Sequence, residues 1–173
     1  MGNLRKNLST ISFVVLCAMM VTIGGHAATT GTVTATVTVQ NVSVSVADGT
    51  VTYGTLSTTD TADTTSADLN DSQTATNDGN VTEDLNIKGQ NSANWTLAGS
   101  VGSDQYKHEF CKVDTGDCDG TPTWSALTTG YAALKTGLTA SGTYSFDLKI
   151  STPSSSSNYT QQSVDVTVQA VAS

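Results

Sequence analysis

The sequence predicts an all-β protein: an antiparallel β-sandwich of the immunoglobulin-like or jelly-roll kind, with an extended N-terminal strand. Three observations carry this expectation. Apolar residues recur at every second position along most of the chain, the period of a half-buried strand. Turn signals break that alternation at short intervals: "ADG" at 47–49, "NDGN" at 77–80 and "DTGD" at 114–117. Crossover helices of the kind that join parallel strands are missing from the pattern.

The first 27 residues read as a secretory signal. Arg5 and Lys6 precede an apolar run from Ile11 to Gly25, and small residues follow at "GHAAT". The run is short of the about 20 residues that a membrane-spanning helix needs. Cleavage after Ala27 leaves 146 of the 173 residues, enough for one domain with a core of its own. The expected organisation is a removed signal over 1–27, an N-terminal strand over 28–40 and a single β domain over 41–173. The expected location is the cell surface or the medium outside, with the membrane met only during export.

The opening stretch "TTGTVTATVTVQNVSVSVADG" is strand chemistry with a fault in it. Val33, Ala35, Val37 and Val39 fall on odd positions; Val42, Val44 and Val46 fall on even ones. One residue of slip sends every side chain to the opposite face, so these are two segments meeting at Gln40 and Asn41. The second belongs to the domain. The first spans roughly 30 Å when extended and has two ways to be satisfied. It can cross from one sheet of its own domain to the other, or it can add itself to an open sheet edge of another copy. In the second case Val33, Ala35, Val37 and Val39 are the inserted residues, and their burial contributes about 5–8 kcal/mol before association costs.

Beyond it, Val51 and Tyr53 form a short strand ending at Gly54. "SQTATN" forms a polar strand at an edge. Val81, Leu85 and Ile87 share a face, as do Trp95, Leu97 and Val101. Tyr106, His108 and Phe110 lead into a hairpin. "YAALKTGL" is the one stretch with helical spacing, enough for a single turn. Tyr144, Phe146, Leu148 and Ile150 alternate cleanly, and so do Val164, Val166, Val168 and Ala170. Trp95 and Trp124 read as core residues.

The stretch "VTYGTL", followed by "LNDSQTATNDGNVTEDLNIKGQNSANWTL", resembles small exported bacterial and archaeal surface domains with a "YGTL"-like turn and a "TNDGNV"-type hairpin. The resemblance covers residues 51–97. It implies an immunoglobulin-like β-sandwich that serves as a surface or filament subunit, and some such proteins assemble by strand donation.

Composition narrows the partners. After removal of the signal, five lysines and no arginine stand against fifteen acids, a net charge of −10. Clustered cations are lacking, which argues against nucleic acid and anionic lipid as partners. Acidic charge keeps a Thr- and Ser-covered β protein soluble. Cys111 and Cys118 are the only cysteines past the signal and are expected to form a disulfide across the ends of neighbouring strands. Closing that loop restrains the unfolded chain by about 2.5 kcal/mol.

Catalytic chemistry finds little purchase. His108 is the only histidine past the signal, and its place in an alternating strand suits packing better than a triad. No "GxSxG", "HExxH" or phosphate-binding glycine loop occurs. Asp114, Asp117 and Asp119 offer hard oxygens for calcium, but without the spacing and closing glutamate of an EF-hand. Asn41, Asn70, Asn80, Asn94 and Asn158 begin glycosylation sequons. The expectation is therefore a non-enzymatic structural protein, without cofactor, that self-associates or joins other surface components. The alternative is a carbohydrate- or surface-binding module reading its ligand through Trp95, Trp124 and Tyr131.

Overall fold

The computed structural model describes residues 30–173 apart from Asp114, Thr115, Asp117 and Asp119. The expected signal and the three calcium candidates lie outside the described residues. Val39–Ser173 form one compact unit, and the chain before them is a second. Among the described residues there are ten strands and no α-helix.

Two sheets share one hydrophobic cluster. The larger runs in the order β1 (Val44–Ala47), β3 (Gln73–Asn77), β9 (Thr143–Ser151), β6 (Gln105–Lys112) and β5 (Thr96–Leu97). β2 (Thr61–Asp63) pairs with β9 beyond the end of β3, and β7 (Ser125–Ala126) pairs with β6. The smaller sheet is β10 (Thr167–Ala172), β4 (Glu83–Lys88) and β8 (Ala132–Leu138). Pairing is antiparallel except between β5 and β6, which run parallel.

β9 is the central strand because its alternation serves the core directly. Tyr144, Phe146 and Leu148 are buried, opposite Ala75 on one side and Phe110 on the other. Leu85 and Ile87 of β4, with Leu134 and Leu138 of β8, complete the cluster from the smaller sheet.

Several expected elements differ. "SQTATN" is interior, not an edge: β3 lies between β1 and β9. Its inward residues Gln73 and Asn77 are polar yet buried, because they are hydrogen-bonded. Asn77 Nδ2 donates to the Val81 and Leu138 carbonyls, and its Oδ1 accepts from the Gly79 amide. "YAALKTGL" is strand β8 rather than a helical turn. Leu134 and Leu138 stand four apart, a spacing that places residues on one face in a strand as well as in a helix. Two register shifts against β4 interrupt the strand, and Gly137 takes φ 66°. Val51 and Tyr53 pack on the core without joining a sheet. Residues 30–43 carry no sheet pairing within this chain, and the first strand among the described residues starts at Val44.

Candidate assembly surfaces

The segment before Gln40 and the strand after it have different surroundings. Val33, Val37 and Val39 are 94%, 90% and 81% exposed. Ala35 is exposed as well. Val44 and Val46 of β1 pack against the core. A β-branched, alternating stretch has high strand propensity but no stable structure without a ladder to join.

The change of phase is held by a clasp. Asn80 Oδ1 accepts from the Asn41 amide and Asn80 Nδ2 donates to the Val39 carbonyl, both at 2.8 Å. The Asn80 amide donates to the Asn41 carbonyl at 3.1 Å. One side chain thus supplies the donor and acceptor that a neighbouring strand would, and Gln40 is left between them. Two residues on, the Ser43 amide donates to Glu83 Oε1 at 2.8 Å. Glu83 is fully buried, and among the described residues its Oε2 has no hydrogen-bond partner. Gly79 allows this close approach: a Cβ there would stand 2.3 Å from Glu83 Oε1 and 2.5 Å from the Asn41 carbonyl. The turn "NDGN" therefore grips the chain at 41–43, a role its turn chemistry alone does not announce.

Among the described strands the two sheets end in four edges, β1 and β5 with β7 in the larger and β10 and β8 in the smaller, and they are unequal. At the β8 edge the inward leucines are sealed, with Leu134 1% and Leu138 6% exposed. At the opposite side β10 lies alongside β1, the edge of the other sheet. There the inward residues Val166, Val168 and Ala170, with Val44 and Val46, stay only partly buried. Across the ladders, the partners of Val168, Ala170, Val46 and Val44 are Ile87, Leu85, Ala75 and Asn77, all fully buried. The core is closed in its middle and along β8, and half open along the β1–β10 seam.

The other candidate residues are dispersed. Cys111 and Cys118 form the expected disulfide, with Cα atoms 5.3 Å apart. Cys118 lies in the loop after β6 rather than on a neighbouring strand. His108 is buried: its Nε2 meets the Tyr53 hydroxyl at 3.0 Å, and its Nδ1 has no partner among the described residues. Burial lowers its pKa to about 4, so the ring is neutral at pH 7. Burial also raises the Tyr53 hydroxyl, with Asp63 and Asp71 adding to the effect, and pushes Tyr106 up to about 12. Trp95 is half-buried, donates from Nε1 to Ser156 Oγ at 2.9 Å and lies 6.3 Å from the Tyr106 ring. Trp124 carries the Lys149 ammonium over its face, and Tyr131 carries that of Lys88. Among the described residues none of these three rings stacks on another.

The chain matches no protein-family model, no curated protein and no solved structure.

Proposed function

We propose that the protein is an exported, non-enzymatic subunit that polymerises at the cell surface. Its two sheets, read as an immunoglobulin-like sandwich, form the body, and residues 30–39 are a strand given to the next copy. The observation that carries this reading is the exposed valine row. Val33, Val37 and Val39 stand in solvent on a stretch whose alternation suits a sheet. Strand addition gives such a segment its ladder and buries its side chains. Repeated head to tail, the contact does not close, and it builds a fibre. The net acidic charge and the disulfide suit an exported subunit.

The test is removal of residues 29–39. The full exported chain is expected to form multimers that resist heat and SDS. The shortened chain is expected to stay folded, with an unchanged circular dichroism spectrum, and to run as a monomer. Loss of folding on removal would mean that the segment is an internal strand, and strand donation would fall.

A further inference from the structure

Resting on the strand-donation reading, we infer that the acceptor is the free edge of β10, filled by residues 30–39 of a second copy of this chain. Three features separate this edge from the others. The first is the state of the core behind it. Val166, Val168 and Ala170 face the hydrophobic cluster but remain half covered, whereas the inward leucines of β8 are sealed. A valine-bearing strand laid beside β10 would cover what is open along the seam with β1. Along β8 there is little left to cover.

The second is edge protection. Proteins guard free edges with bulges, charges, prolines or very short strands. β8 has two register shifts, a left-handed Gly137 and Lys135 within it. The outer edge of the larger sheet is carried by β5 and β7, two residues each. β1 has four residues and stops at Asp48 and Gly49, which take φ 67° and 65°. β10 reads Thr-Val-Gln-Ala-Val-Ala, without charge or proline, and holds continuous register with β4 through all six residues. It is the one regular, unguarded edge among the described strands.

The third is fit. Six residues of β10 offer about 20 Å of ladder, and the ten residues 30–39 reach about 33 Å. The donated stretch therefore spans the edge with residues to spare for the passage between copies. The donated face presents Val33, Ala35, Val37 and Val39, and the opposite face presents threonines that suit the solvent side.

Disulfide trapping between two differently tagged chains tests this. One chain carries a single cysteine at Thr32, Thr34, Thr36 or Thr38, taken in turn. The other carries Gln169→Cys on β10, Ser45→Cys on β1 or Ala133→Cys on β8, all exposed positions. Circular dichroism verifies the fold of each variant. Mild oxidation is expected to give a mixed-tag covalent dimer with Gln169→Cys at one or two donor positions, several-fold above the other acceptors. Preferential trapping at Ser45→Cys or Ala133→Cys would overturn the choice of β10 and leave strand donation standing. Absence of any mixed-tag dimer, in chains that also fail to form multimers, would overturn both.

Discussion

The buried histidine makes the acid stability of this protein predictable. His108 ionises in the folded chain only at about pH 4, because burial disfavours the imidazolium. Its ordinary value is 6.5. Above about pH 6.5 both folded and unfolded chains hold it neutral, and its effect on stability is constant. Below that the unfolded chain takes up a proton that the folded chain refuses. Stability then falls until the folded pKa, at about 4, is passed. The interval is about 2.5 pH units at about 1.4 kcal/mol each, so the loss is about 3 kcal/mol. This is a large share of the 5–15 kcal/mol typical of a domain. Urea unfolding at a series of pH values, for the wild type and for His108→Gln, isolates the effect. The difference between the two curves is expected to shift by about 3 kcal/mol between pH 6.5 and 4 and to stay flat above pH 7. Parallel curves through that window would show that His108 is not held neutral by its surroundings, and the core placement argued from its contact with Tyr53 would be wrong.

Two further predictions concern the clasp and the disulfide. Gly79→Ala brings a Cβ against Glu83 Oε1 and the Asn41 carbonyl, so it is expected to cost about 2–3 kcal/mol, read by thermal unfolding. Cys118→Ser opens the Cys111–Cys118 loop and is expected to cost about 2.5 kcal/mol, read as a lower urea midpoint; a smaller loss would mean that the bridge restrains the unfolded chain less than the length of its loop implies.

Strands whose inward residues are apolar were legible in the sequence, β9 most plainly, since Tyr144, Phe146 and Leu148 alternate without interruption. β6 and β4 followed in the same way through Tyr106, Phe110, Leu85 and Ile87. β3 reads as an edge strand in sequence because its buried face is Gln73, Ala75 and Asn77, and hydrogen bonds to distant backbone make polar residues acceptable there. β8 does not read as a strand in sequence because its register shifts break the two-residue period. The slip at Gln40 and Asn41 was visible as a change of phase. Its cause is not, since Asn80 lies 39 residues further along, in the turn between β3 and β4. The half-open seam was equally hidden, because Val168 and Ala170 look no different in sequence from the sealed Leu134 and Leu138.

The most direct measurement offers the shortened chain, lacking residues 29–39, a synthetic peptide of residues 30–39. Calorimetry is expected to show one peptide bound per chain, with a negative heat-capacity change from apolar burial. The same peptide carrying Val37→Asp is expected not to bind. A folded chain that ignores the unmodified peptide, or binds both peptides alike, would contradict the claim that these valines are made for another copy's sheet.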